Sequence, residues 1–513
     1  MKINKLYILG GLTALMLSTS CVDGINEDPN RPSSVPTTSL ITSSEKLLVD
    51  NLRSEQVSLR GSMLFVQYFS QNTYTTESRY DISFTYSDVY WKGLYKSLSN
   101  LEEVIRLNTD PLTKDVATAN GIGRNSTQIA ISRILKTYAF YALTDVFGEI
   151  PYQSYGNKDT DFQALQIDPE NITPKYASQE KIYTDLLNEL KAAGDTLAKY
   201  PADNTFGKAD IIYAGSNAKW AKLANSLRLR FATRLKEKNN ALYKEHFQDA
   251  LNKGVFTGNA DNAAFKYSAT SPNEAPLYRA TVTANRKDFA VSSILVDLLK
   301  GANPELPIAD PRLPIYALPA TATNTYVGLP YGLANDQAGK FAATGVSLPG
   351  AIVNSASYSE VLMEYSEVAF LISEYNNWNQ DDYQAGVRAS LEKWGVASGD
   401  VSTYLSNLPA ANQKNVLTQK YIALYMQGLE AWSEYRRTGY PDFLIKDGDI
   451  AFQGTIEGSQ VTYHFDPLFG DNDIPSRLYY PTKEQNVNKA NYQEALSVQG
   501  NDKIETKLWI FKK

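Results

Sequence analysis

Between residues 125 and 147 apolar side chains recur at Ile131, Ile134, Leu135, Tyr138, Tyr141, Ala142 and Val146, the spacing of one broad helical face. Asn125 and Gln128 stand where an N-cap and its capping-box partner belong, while Gly148 and Pro151 stop the helix and keep it from resuming. Two further stretches share this grammar. Residues 216–236 open on Ser216 and carry Trp220, Leu223, Leu227, Phe231 and Leu235. Residues 419–444 carry Ile422, Tyr425, Leu429, Trp432 and Tyr435, closed by Gly439 and Pro441. Each face is too apolar to stand in water alone, so a chain with three such helices must build a large helical core.

No Pro/Ser/Gly-rich linker or charge block divides the 513 residues after about position 40, which favours one extended core or two lobes sharing an interface. The net charge of −6 and the lack of a basic run outside 216–236 make nucleic acid and anionic membrane surfaces poor partners. Two histidines, His246 and His464, and one cysteine leave little room for a zinc site, a Ser/His/Asp triad or an intrachain disulfide. Phosphate-binding and dinucleotide-binding glycine motifs are missing, and Glu102-Glu103 and Asp381-Asp382 are adjacent pairs that do not face each other on a helix. Asp471-Asn472-Asp473 reads as a surface turn more readily than as a calcium loop. Tyrosine is the outlier, with 34 copies; it fills helix seams and also suits recognition surfaces, offering a flat apolar ring and a hydroxyl at small entropic cost.

The N-terminus has a distinct pattern. Lys2 and Lys5 precede an apolar run from Leu6 to Leu17, too short to span a bilayer, and small residues then lead to Cys21. This reads as a lipoprotein signal at 1–20 with Cys21 as the acylated residue, an ordinary cleaved signal being the alternative. Acyl chains contribute about 0.8 kcal/mol per buried methylene to anchoring. Residues 21–38 form an acidic, Pro-rich tether before the folded body at 39–513.

Several motifs, in order, carry a resemblance: Leu143-Thr144-Asp145-Val146-Phe147-Gly148-Glu149-Ile150-Pro151, the run Asn225 to Arg230, and Gly428-Leu429-Glu430-Ala431-Trp432 continuing through Tyr435 to Pro441. The chain resembles the SusD/RagB family of outer-membrane nutrient-binding lipoproteins. That resemblance implies a mostly α fold, a tetratricopeptide-like scaffold of helical pairs forming an α-α superhelix, with a loop-rich insertion at about 255–360 on the ligand face. It implies a lipid-anchored protein of the outer membrane, facing outward, that binds an oligosaccharide or peptide without turnover and hands it to a SusC-type TonB-dependent transporter. Asp23, Glu27 and Asp28 resemble the family's acidic surface-export patch. A surface scaffold or adhesin, and a surface glycoside hydrolase, are the alternatives.

The resemblance also directs attention to residues 71–105, crowded with aromatic and polar side chains. Arg79 and Trp91 are carried over from the family's ligand region, and Tyr74, Tyr80 and Tyr86 lie among them. Trp91 also fits the core of the helix that follows. In the insertion, Tyr278, Arg279, Tyr326 and Tyr331 are the corresponding candidates. No cofactor or metal is implied.

Overall fold

The computed structural model describes residues 35–166, 172–470 and 473–512. The signal segment, Cys21, the acidic patch and the Asp471-Asn472 pair lie outside the described residues.

The body is built from helices that pack on their chain neighbours. Helices α1 (Thr37–Leu52), α2 (Phe84–Thr109), α3 (Asn125–Phe147), α4 (Gln179–Ala198), α5 (Asn217–Arg234) and α6 (Asn240–Lys253) follow one another, each against the next. A second set, α7 (Tyr365–Tyr375), α8 (Gln380–Lys393), α9 (Ser398–Ser406), α10 (Gln413–Ala423) and α11 (Gly428–Thr438), packs beside α5 and on itself. Among the described residues six strands pair as three two-stranded antiparallel ribbons: β1 (Phe69–Gln71) with β3 (Phe289–Val291), β2 (Ala263–Lys266) with β4 (Ser359–Met363), and β5 (Ile450–Ile456) with β6 (Ser459–His464). Among the described residues no helix is long and apolar enough to cross a membrane.

Helix α3 is buried on nearly every side, not along one face. Its neighbours α2, α4 and α5 enclose it, so even its charges are inside: Lys136 meets Glu102, and Arg133 meets Glu189 at 2.7 Å. Its start lies one residue earlier than the sequence suggests. Arg124 is the N-cap, its N–H donating to the Thr127 hydroxyl at 3.2 Å, while Asn125 turns away to donate to Asn108 and Lys114. At the far end Gly148 has φ of +91°, and a β-carbon there would collide with Gln499 and Leu508. Ser216 caps α5 as its position predicts, and Ser178 caps α4.

Two expected helices are broken. The stretch 419–444 is divided between α10 and α11, because Met426 takes a left-handed φ of +70° and Gly428 sits against Ser62 and Met63, where no β-carbon fits. The spacing of Val361, Tyr365, Val368, Phe370 and Leu371 predicts a helix over 358–376, yet its start is the strand β4, paired with β2, and α7 begins only at Tyr365.

The three stretches singled out in the sequence converge on one buried charge network. From α5, Arg230 grips Glu367 of α7 through Nε at 2.8 Å and Nη2 at 2.5 Å. One turn on, Arg234 donates to Glu434 at 2.6 Å and to Glu430, both on α11. Glu430 also accepts from Tyr141 of α3 at 2.8 Å. Asp145 of α3 accepts from Tyr183 of α4 and, at 2.7 Å, from Ser433 of α11. Arg437 completes the cluster with a two-pronged contact to Glu374 at 2.8 and 2.6 Å, and Lys420 of α10 reaches Glu434 at 3.1 Å. Burial pushes the Glu434 carboxyl up, but Arg437, Lys420 and Arg234 outweigh it and hold the group well below the usual carboxylate range. Removing one partner strands the others without water. Arg234→Met, which keeps the aliphatic stem, is therefore expected to cost about 3–5 kcal/mol in urea unfolding. Arg106→Met, which breaks only solvent-facing pairs with Glu103 and Asp110, should change stability by about 0.5 kcal/mol or less.

A second buried acidic contact docks α1. The Asp210 carboxylate gathers the N–H groups of Ile212, Tyr213 and Gly215 at 2.8–3.0 Å and the Trp220 indole at 2.6 Å. Glu45 of α1 lies beside it, fully buried, with one oxygen accepting from the Ile211 N–H at 2.8 Å and the other meeting no donor. Burial first, and then the neighbouring Asp210 charge, push the Glu45 carboxyl well above the ordinary 4.5. A raised folded-state pKa contributes stability that is fully present below the unfolded value and is lost as pH rises through the folded one. Glu45→Gln supplies the same donor without a titrating proton. Its melting temperature relative to the native protein should therefore rise between pH 5 and pH 8; an unchanged difference across that range would overturn the raised Glu45 carboxyl.

Candidate ligand-binding face

The sequence-selected aromatics divide sharply by burial. Tyr74, at the tip of the turn after β1, is 71% exposed. Its φ of +55° is costly for a residue with a β-carbon, on the order of 1–3 kcal/mol. Its neighbours hold it there. The Tyr74 N–H donates to Asn335 Oδ1 at 2.9 Å, and Asn72 binds the backbone carbonyls of Asp288 and Lys287 at 3.0 and 3.2 Å. Gln71 reaches forward, donating to Glu77 at 2.7 Å and accepting from the Ser78 N–H at 3.0 Å. The turn is thus tied to the β3 entrance and to the 335–338 helix, and the Tyr74 ring projects from a rigid base.

Tyr80, Tyr86, Trp91 and Tyr331 are core residues, a correction to their expected place on the ligand face. Tyr80 lies edge-on to Phe65 and Phe465 at 6.0 and 5.4 Å, and Tyr331 packs on the same Phe465 at 5.5 Å. Both hydroxyls are buried against each other, so burial pushes the two phenols above their ordinary range. Tyr86 accepts from Arg60 at 2.5 Å and donates to Glu77 at 2.8 Å. Trp91 sits among Tyr95, Phe147, Tyr176 and Tyr480. Helical spacing decided these cases: Tyr86 and Trp91 fall on the inner stripe of α2, with Tyr90, Leu94 and Leu98.

Arg79 is shielded and committed. Its Nε donates to the Asp466 carbonyl at 2.8 Å and its Nη2 to the Asp466 carboxylate at 3.1 Å, while the Arg79 carbonyl accepts from the Leu468 N–H at 2.7 Å. Those bonds fasten the 465–470 turn to the Tyr74 turn and leave the Asp466 carboxylate largely in solvent. The same turn displays Phe469, 52% exposed, next to Leu468. Sequence reasoning missed Asn335, Asp466 and Phe469. Phe469 between Pro467-Leu468 and Gly470 was a readable turn signal; the long-range partners of Arg79 and Tyr74 were not readable from chain order.

Tyr278 and Tyr326 are partly exposed and lean on the core from the loop-rich segment, with no ring contact to Tyr74 among the described residues. Arg279 pairs with Asp50 at 3.0 Å, on α1. The face that results has a projecting tyrosine ring, a second exposed ring on a fastened turn, and a carboxylate and amide beside them. It can stack on a flat apolar surface and accept or donate hydrogen bonds at its edge. His246 is held neutral, its pKa pushed down to about 4 by burial and by Arg228 at 3.2 Å.

The family model described as starch-binding, associating with the outer membrane (SusD-like) matches residues 29–466. No curated protein matches the chain. A SusD homologue of Bacteroides uniformis superposes with a TM-score of 0.71 at 25% identity, covering 93% of this chain and 99% of its own. One from Parabacteroides distasonis gives 0.75 at 23%, with 93% and 98% covered. A chitin-binding SusD homologue from Flavobacterium johnsoniae gives 0.70 at 23%, with 92% and 99% covered. A family match over most of the chain, on a helical body whose signature motifs meet in one interior, establishes that this chain belongs to the SusD/RagB family of outer-membrane-associated binding proteins.

Proposed function

We propose that this protein is a cell-surface lipoprotein, anchored through Cys21, that captures a glycan chain and passes it to a SusC-type TonB-dependent transporter. The observation that carries the glycan reading is Tyr74: a mostly exposed ring held at a strained backbone angle by Asn335, with the Asp466 carboxylate on the adjoining turn. Sugar rings present flat C–H faces that stack on such a ring and hydroxyls that a carboxylate or amide binds. The family's description as starch-binding and the chitin-binding relative favour a glycan over a peptide. Capture without turnover fits a face built from rings and one committed carboxylate, since glycosidic cleavage needs two carboxyl groups roughly 5–10 Å apart across the bond.

The full chain, solubilised in detergent, is expected to bind chito-oligosaccharides or malto-oligosaccharides in a calorimetric screen that includes a mixed peptide library. Tyr74→Ala should weaken that binding about 3- to 10-fold while leaving the melting temperature within a few degrees. Binding to peptides alone would overturn the glycan assignment. Extraction of the native outer membrane should recover a stoichiometric β-barrel with the protein, and its absence would count against delivery to a transporter.

A further inference from the structure

Ten residues after Tyr74 stands a second exposed aromatic feature that the face described above does not use. Phe84 opens α2 and is 46% exposed, although an outward ring in a first helical turn gains nothing from the core. Tyr479, from the C-terminal segment, lies over it with ring centroids 4.2 Å apart and planes tilted by 33°. The two come from opposite ends of the chain and are held together one turn along α2, where Thr482 donates through its N–H at 3.0 Å and its hydroxyl at 2.9 Å to the Asp88 carboxylate. Burial raises the Tyr479 phenol, and the charges of Glu505, Asp502 and Asp81 add to it. Asp81 is exposed, and its carboxylate meets no donor among the described residues. Ser83 and Thr85 add two exposed hydroxyls, 2.8 Å apart, on either side of Phe84.

An aromatic pair on a clamped base, edged by a free carboxylate and by hydroxyls, with Arg477 and Lys503 engaged by Asp502 and Glu505, suits a polyhydroxylated ring. We infer that Phe84 and Tyr479 form a second pyranose subsite, with Asp81 accepting from a sugar hydroxyl. The inference rests on the glycan reading of the Tyr74 face. Tyr74 and Phe84 are separated by ten residues of chain, so their α-carbons stand at most roughly 35 Å apart, and an oligosaccharide long enough to span that distance would engage both. Linking the two contacts in one ligand raises affinity beyond either alone.

The test is calorimetric titration of the detergent-solubilised full chain with chitobiose, chitohexaose, maltose and maltoheptaose, comparing native protein with Phe84→Ala, Phe84→Trp and Tyr74→Ala. For whichever glycan series binds, Phe84→Ala should weaken the long oligosaccharide about 3- to 10-fold and Phe84→Trp should restore it. Tyr74→Ala should weaken the long and short members alike. If Phe84→Ala binds every length as the native protein does, the subsite is overturned while the Tyr74 face stands. If Phe84→Ala keeps full glycan affinity but loses a co-extracted membrane partner, the pair is a protein-docking patch and the subsite is likewise overturned. If the native protein binds no member of either series, the glycan reading and the subsite fall together.

Discussion

The buried guanidinium–carboxylate network is the interaction on which the rest of the architecture depends. Arg230 and Arg234 are one helical turn apart on α5: the first grips Glu367 on α7 and lies 3.4 Å from Glu430 on α11, and the second pairs with Glu430 and Glu434 on α11. Asp145 and Tyr141 bring α3 to the same cluster. Charges this deep attract strongly, but their desolvation cost nearly cancels the gain, so the network contributes less to net stability than its bond count suggests. What it supplies is selectivity. Apolar seams tolerate sliding, whereas a planar guanidinium with two carboxylate partners accepts one register of its neighbours. The helices from the two parts of the chain are locked at this point, and the loops they carry inherit that fixed relation.

Those loops hold the proposed function. The turn bearing Tyr74 and the turn bearing Phe469 are joined through Arg79 and Asp466, and beneath them Tyr80, Phe465 and Tyr331 form a buried aromatic plug. The left-handed backbones of Tyr74 and Tyr80 are tolerated because the surrounding bonds and rings over-determine them. A displayed ring on such a base loses little freedom when a ligand stacks on it, which is the physical advantage of preorganisation.

Sequence patterning read the helices well, and the departures have specific causes. Helix α3 was legible because its stripe and its Gly148 stop agree, but its full enclosure was not, since Lys136 and Arg133 look like surface residues until Glu102 and Glu189 arrive from other helices. The break between α10 and α11 carries no Pro and was hidden, because the close approach of Gly428 to Met63 comes from elsewhere in the chain. Of the aromatics read as ligand candidates, Tyr74 is displayed to solvent, while Tyr80, Tyr86, Trp91 and Tyr331 are buried in the core. Tyrosine has the same apolar ring in both roles, and only neighbouring atoms decide which one a given copy plays.

Sequence alone determined the helical class, the family and the three motifs that share an interior, because helical periodicity and end signals are local properties written in adjacent residues. Tertiary structure decided which carboxylate answers which arginine, which tyrosines outside the helical stripes face water, and that Phe84 meets Tyr479. Those outcomes depend on contacts between residues hundreds of positions apart, and no local spacing encodes them.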